Sequence, residues 1–531
     1  MSKVTNKGKP LLQTEQAYEI EPIILRRAFG IIGLVCIICT LVFDKSRDMG
    51  GTVLFPIACI LGVLILAFML WYEKKLTVQN IALLIIAAGF MVRLNYVIYT
   101  PLSETVRIRQ HDLYSFGGEK GHSAYIEHFY NNGYTLPNFD PTEKAQFYHP
   151  PLHHLLCAIW MRILTTFGMS YTRAIGSLQY LSLFYSSSCM LVCELIFSKL
   201  RMRGLSNLLA LSVIAFHPTF IILAGSVNND ILSILFTLLA VYFVFVWHEE
   251  RTQKNIIPIA LSIGLGMSTK LSVGLLAIPV GMLFLWDFID AKKDKLVIIR
   301  QFLIFGVICI PLGLWFSVRN YIKYDVPFTY VRRLSDTSDQ YIGDYSVYQR
   351  LFDFSDHPFK NVFLNRETTG ADYFEYNPLV AIIKTSMFGE YNFAETNPNI
   401  VYFCWFLLIM NVILIAFSIF ATAYYIIKKS KHTDTTEKVF LVFYQILMFV
   451  YYIKFCFDFP HNCSMDFRYI VPTCVIGTFF ICASTEHFSI ELQSHTKAVK
   501  AVNIIVSSSV ILFCIASIIV FIMLGNTTLQ Y

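Results

Sequence analysis

The sequence predicts an all-α polytopic membrane protein with about 13 transmembrane helices. Three observations carry that prediction. Hydrophobic residues make up 56% of the 531, and charged residues only 15%, well below the roughly 25% usual in soluble chains; mean hydropathy is +0.56. The apolar residues gather into runs of the length that crosses a bilayer, about 20 residues. Lys and Arg fall in short loops between alternate runs, which is the bias that orients membrane helices. The net charge of +6 follows from that bias and gives no sign of a nucleic-acid partner.

In chain order the runs are 28–44, 53–72, 79–99, 173–197, 206–224, 231–248, 255–269, 271–288, 299–319, 398–427, 438–456, 469–486 and 500–524. Those at 28–44 and 231–248 are short, and 255–269 with 271–288 reads as a tight hairpin. Residues 1–27 read as a cytoplasmic tail. They are not a cleavable signal, because residues 1–25 are polar and no small-residue cleavage site follows the first run. Lys3, Lys7, Lys9, Arg26 and Arg27 place the N-terminus in the cytoplasm. Alternation then puts Lys74 and Lys75, Lys199–Arg203, Arg251–Lys254, Lys292–Lys295 and Lys428–Lys431 on that same face. Thirteen spans leave the C-terminus outside.

Two long polar segments, 100–172 and 320–397, fall on the outer face. Within the first, 150–166 is amphipathic and opens with Pro150-Pro151. It reads as a helix lying in the interface; were it a span, every basic loop after it would face outward. The chain thus divides into a tail (1–27), two N-terminal helices (28–78), a core including the first outer loop (79–319), a second outer loop (320–397) and the C-terminal helices (398–531). Most of the 13 Cys sit in apolar runs as small hydrophobes. Cys456 and Cys463 share a polar loop and are candidates for a disulfide if that loop meets an oxidising space. Asn462-Cys-Ser and Asn526-Thr-Thr are glycosylation sequons on the outer side. No repeat, P-loop, Rossmann glycine pattern, Ser-nucleophile elbow or His-Glu-x-x-His occurs, so those chemistries are not signalled.

Chemistry is concentrated at the outer ends of the runs. The first outer loop opens Arg107-Ile-Arg109-Gln-His111-Asp112, and a carboxylate there suits a general base. Arg93, near the outer end of the preceding run, is a cation that would hold Asp112 ionised; the plainer reading of Asp112 is a solvated loop end. The loop closes with Phe147-Tyr148-His149-Pro150-Pro151-Leu152-His153-His154. Pro-Pro favours extended entry into a helix, which leaves His149 before a helix N-terminus, where anions bind. A metal held by His149, His153 and His154 is the weaker reading, because residues 153 and 154 do not share a helix face.

An acidic residue just after a span, followed by His-Pro-Pro-Leu, resembles the first outer loop of lipid-dependent membrane glycosyltransferases of the C-type fold, the protein O-mannosyltransferase and aminoarabinose transferase superfamily. Further matches follow in order. They are Asn228-Asn229-Asp230, Ser268-Thr269-Lys270 at a hairpin tip, Trp315-Phe-Ser-Val-Arg319-Asn320-Tyr321 with Pro327, and Phe467-Arg468-Tyr469 with Pro472. All lie on the outer side of the topology drawn from charge and hydropathy, and together they cover roughly residues 79–480. Many relatives carry Asp-Glu where this chain has His111-Asp112-Leu113, so one carboxylate is missing.

The resemblance implies a C-type fold with interfacial helices in the first outer loop. It implies a donor sugar on a polyprenyl or dolichyl phosphate and an acceptor hydroxyl on a protein, lipid or glycan. Asp112 would take the acceptor proton, and the lipid phosphate would leave with inversion. His149, Lys270, Arg319 and Arg468 would hold the phosphate, supported by Arg93, His111 and Asp230. Outer-end Lys and Arg also snorkel to headgroups, and Asp230 also suits a helix cap. No cofactor and no metal are expected, because fixed cations can stabilise the leaving phosphate. The membrane would be a bacterial plasma membrane or the endoplasmic reticulum. A flippase for lipid-linked sugars and a non-catalytic scaffold are the alternatives; Asp112→Asn separates them from a transferase.

Overall fold

A computed structural model describes residues 22–44, 54–100, 102, 113, 120–291, 295–338, 340–354, 361–366, 373–393, 399–429, 433–488 and 496–525. The chain is helical nearly throughout. It opens with α1 (Pro22–Val42), α2 (Leu54–Tyr72) and α3 (Val78–Tyr99). The first outer loop contributes α4 (His122–Asn131), α5 (Leu152–Thr166) and α6 (Tyr171–Gly176). Next come α7 (Leu178–Lys199), α8 (Gly204–Phe216), α9 (Pro218–Ala224), α10 (Asp230–Glu249) and α11 (Gln253–Met267). A 3-10 turn, Leu271–Leu276, leads into α12 (Ala277–Asp290), and α13 (Lys295–Tyr324) follows. The second outer loop holds α14 (Val347–Phe352), α15 (Pro378–Phe388) and a two-residue antiparallel ladder, Asn365–Arg366 with Tyr373–Phe374. The chain closes with α16 (Ile400–Ile427), α17 (Thr435–Asp458), α18 (Pro472–Glu486) and α19 (Lys497–Gly525).

Every apolar run read from the sequence is helical here. Among the described residues, 9 helices are long and apolar enough to cross a membrane, or up to 11 if each of two bent pairs is one span. The exact count of 13 is not confirmed: α2 has 19 residues, and α11, with 15, is shorter than a full span. The bends have a covalent cause. Pro218 and Pro472 open α9 and α18; proline has no N–H to continue a preceding helix, and the axes turn by 45° and 47°. α1 begins at Pro22, so Arg26 and Arg27 lie exposed within the helix and not in the tail.

Caps set several boundaries. Thr77 accepts from the Asn80 N–H at 3.2 Å. Asp434 and Glu437 form a reciprocal capping box at the start of α17, which satisfies two otherwise orphaned groups. The interfacial helix expected over 150–166 is α5, with His153, His154, Cys157, Met161 and Leu164 buried on one side and Ile159 and Ile163 exposed on the other. Helices pack closely through small residues: a methyl group on Gly89 of α3 would come within 2.9 Å of Ala215 Cβ and 3.0 Å of its carbonyl oxygen on α8.

The second outer loop is more than a polar lid. Its helix α15 is apolar and buried against α9 and α16. Asn377 caps it by accepting from the Leu379 and Val380 N–H groups. Beneath it Lys384 and Glu375 form an ion pair of 3.0 Å, with side chains only 2% and 1% exposed. A helix of 11 residues is too short to read as a span, which is why the sequence left it in a loop.

Candidate active site

Asp230 is the first residue of α10, where a carboxylate meets the positive end of the helix dipole; its N–H donates to Asn228 Oδ1 at 3.1 Å. α10 has 20 residues and so runs about 30 Å. At its far end Glu249 pairs with Lys199 and with Arg201 at 3.3 Å. There too, His248 and Arg251 hold buried Asp287 at 2.8 and 2.7 Å. The short basic loops at 199–203 and 251–254 therefore lie at one end of α10, and Asp230 lies at the other.

Two cations from distant parts of the chain converge on Asp230. Lys270 sits between α11 and the 3-10 turn, its N–H closing the hairpin on the Gly266 carbonyl at 2.8 Å; its Nζ pairs with Asp230 Oδ1. Arg468 stands in the 3-10 turn before α18, whose backbone is held by Asp466 Oδ1 accepting from the Arg468 N–H at 2.7 Å. Its Nε lies 3.6 Å from Asp230 Oδ2, and its Nη2 lies 3.0 Å from Glu390 Oε1. Lys270 Nζ also stands 4.6 Å from the centre of the Tyr469 ring, a cation–π arrangement.

His149 joins the same place from the first outer loop. The Leu152 N–H donates to the Ser268 carbonyl at 3.0 Å, which ties the start of α5 to the Lys270 hairpin. The His149 ring lies against Tyr148, with centroids 4.2 Å apart, and stacks on His122 at 5.9 Å. His122 Nδ1 is 2.8 Å from His154 Nε2. Burial pushes His154 far below the ordinary imidazole range and His153 down to about 3, so both are neutral. His153 faces Cys157 at 3.6 Å. Among the described residues no three His, Cys, Asp or Glu side chains are grouped to hold a metal ion.

His149, Asp230, Lys270 and Arg468 line one cavity of about 740 Å³, within the range of small-molecule sites. Its lining includes the apolar side chains of Leu271, Leu275, Ile278 and Phe455 and the polar ones of Gln146, Tyr148, Tyr330 and Arg332, with Lys454 and Asp458 at the end of α17. Charged, hydrogen-bonding groups together with apolar side chains suit an amphiphile with an anionic head.

Other expected residues lie elsewhere. Arg319 does not line the cavity; it donates to the Pro137 carbonyl and, at 2.7 Å, to Asn320 Oδ1. It fastens the first outer loop to α13. Arg93 is fully buried in the bundle, donating to Ser186 Oγ at 3.1 Å and to the carbonyls of Gly89, Ala215 and Ile214. Its described partners are thus a hydroxyl and backbone oxygens, and it ties α3 to α7 and α8. His111 and Asp112 lie outside the described residues, as do Lys3, Lys7, Lys9 and Asn526. The candidate Cys456–Cys463 disulfide is not formed. Both thiols are free: the Cys456 thiol is buried and donates to the Ser464 carbonyl at 3.5 Å, while Cys463 faces the cavity. The Asn462 sequon is 3% exposed, closed to a glycosylating enzyme in the folded chain.

Sequence reasoning missed Glu390, Gln146, Arg332, Lys454 and His122. Each is a single polar residue that no spacing marks, Lys454 inside the apolar run 438–456 and the others in the outer loops; only Gln146, three residues before His149, stood near a quoted motif.

Residues 145–326 of the chain match the family model of dolichyl-phosphate-mannose-protein mannosyltransferase. The matched region holds His149, Asp230, Lys270 and Arg319. It is consistent with membership of the C-type glycosyltransferase superfamily and supports glycosyltransferase activity. No curated protein matches the chain.

Proposed function

We propose that the chain is a membrane glycosyltransferase that moves a sugar, on the matched family's pattern mannose, from a dolichyl or polyprenyl phosphate to an acceptor hydroxyl. The reaction takes place on the extracytoplasmic face, with the N-terminus in the cytoplasm. The observation that carries this reading is the convergence of Lys270 and Arg468 on Asp230 in a cavity that also has apolar lining residues. A polyprenyl tail suits the apolar residues, and its phosphate suits the cations. As the acceptor oxygen bonds to the anomeric carbon, its proton passes to Asp112. The bond from that carbon to the phosphate oxygen breaks with inversion, and the lipid phosphate leaves with the electron pair. Lys270, Arg468 and His149 stabilise the charge that develops on it, which is where fixed donors accelerate a reaction most. No cofactor or divalent metal enters this scheme. Protein hydroxyls are the acceptors the family description favours.

The test is Asp112→Asn, assayed with dolichyl-phosphate-mannose in the presence of a chelator. Wild-type protein transfers mannose under these conditions. The variant binds the donor as wild type does but turns over at least about 10²-fold more slowly, the scale of a lost general base. A variant with wild-type turnover contradicts the role given to Asp112, and a wild-type protein that binds the donor but transfers nothing contradicts the transferase reading and favours a flippase or scaffold.

A further inference from the structure

Glu390 takes no part in the scheme above, yet it touches the guanidinium on which that scheme depends. It follows α15 by two residues, in the second outer loop, and its side chain is 18% exposed. Arg468 Nη2 stands 3.0 Å from Glu390 Oε1, and Arg468 Nε stands 3.6 Å from Asp230 Oδ2. The first pair is in direct contact; the second is beyond hydrogen-bond range. Arg468 and Asp230 line the cavity, whereas Glu390 is not among its lining residues. Glu390 thus meets the guanidinium from outside that lining.

The local sequence puts Glu390 there. Gly389 closes α15, its N–H donating to the Thr385 carbonyl at 2.9 Å. Its φ of +58° and ψ of −143° suit glycine and strain other residues. The same helix holds the Arg468 turn by its backbone, because the Phe467 N–H donates to Thr385 Oγ1 at 3.0 Å. α15 and the residue pair that follows it therefore meet this turn twice, at the main chain of Phe467 and at the side chain of Arg468.

We propose that Glu390 is a positioning residue: it fixes the Arg468 guanidinium in the orientation that meets the departing phosphate, and does not itself touch the donor. A guanidinium is a planar fork, so its orientation decides which N–H groups reach an anion. Held at Nη2, it is in place before charge develops on the leaving oxygen, which is when fixed donors accelerate a reaction. The same carboxylate repels an anionic head in the cavity. Removing its charge therefore acts in opposite directions on binding and on the chemical step, whereas loss of a residue that only supports the fold weakens both. This inference rests on the transferase reading.

Glu390→Gln keeps the shape of the side chain and removes its charge. Wild type, Glu390→Gln, Arg468→Ala and the double variant are compared in nanodiscs. Affinity for dolichyl phosphate and single-turnover transfer from dolichyl-phosphate-mannose are measured per folded molecule. Glu390→Gln is expected to bind dolichyl phosphate at least as tightly as wild type and to transfer mannose about tenfold more slowly, as for a displaced catalytic group. In the Arg468→Ala background the same substitution should change the rate by less than about twofold, since its effect passes through the guanidinium. The cycle is repeated with Glu390→Asp, which keeps the charge but ends one methylene short and should transfer at a rate between wild type and Glu390→Gln. A wild-type rate in Glu390→Gln overturns the inference. So does a tenfold loss that persists without Arg468, a loss of affinity in step with the rate, or an Asp variant no faster than the Gln variant. A wild-type protein that binds the donor but transfers nothing overturns the transferase reading, and this inference with it.

Discussion

Charged side chains play two opposite parts in this protein. Lys384 and Glu375 are sealed beneath α15, where each cancels a charge that water cannot reach. Lys270 and Arg468 are also paired, but with a carboxylate on a cavity wall, where an incoming anion can share them. The two kinds separate under mutation. Lys384→Ala strands a buried carboxylate and should destabilise the fold by about 3–5 kcal/mol, read as a lower thermal midpoint. Replacing both members with well-packed apolar residues should recover most of the loss. A midpoint unchanged by Lys384→Ala would show the pair to be dispensable. Asp230, Lys270, Arg468 and His149 were legible in the sequence because each belongs to a short motif at the end of an apolar run. Glu390, which completes the setting of Arg468 at 3.0 Å, was not legible, since one Glu among the polar residues of a long loop carries no pattern. Arg93 misled for a related reason. Its place near the end of a run suggested the membrane surface, whereas the guanidinium turns inward to the carbonyls of α8.

The helices were the most legible level. Twenty-residue apolar runs admit almost no other structure in a bilayer, because every backbone group must find its partner within the segment. The misreadings are all of length. α15 has 11 residues and did not register as a span, whereas α11, counted as one over 255–269, has only 15. Prolines split two runs that hydropathy alone sees as continuous. How helices pair is hardly visible in the sequence, yet glycine marks one case. Gly89 lets α3 lie against Ala215 of α8, and Arg93, one turn on, bonds the same carbonyl. Gly89→Val should push the two helices apart and weaken that bond. The expected result is a lower thermal midpoint, by the 1–3 kcal/mol scale of overpacking, with donor affinity per folded molecule preserved. A midpoint equal to that of wild type would mean the close approach is not needed.

The whole molecule brings residues far apart in sequence to one end of the helix bundle. His149 comes from the first outer loop, Asp230 from the start of α10, Lys270 from a hairpin tip and Arg468 from the turn before α18. The basic loops at 199–203 and 251–254 stand at the other end of α10. A transporter needs polar groups near the middle of the membrane, between repeats; here the charge collects at a helix end, in a cavity with apolar lining residues. The most direct test is single-turnover transfer of radiolabelled mannose from dolichyl phosphate by the purified protein in nanodiscs, comparing wild type with Lys270→Ala and Arg468→Ala. The account predicts transfer by wild type and a loss of about 10²-fold or more in each variant, measured per folded molecule. Transfer at the wild-type rate by either variant, or none by wild type, would contradict it.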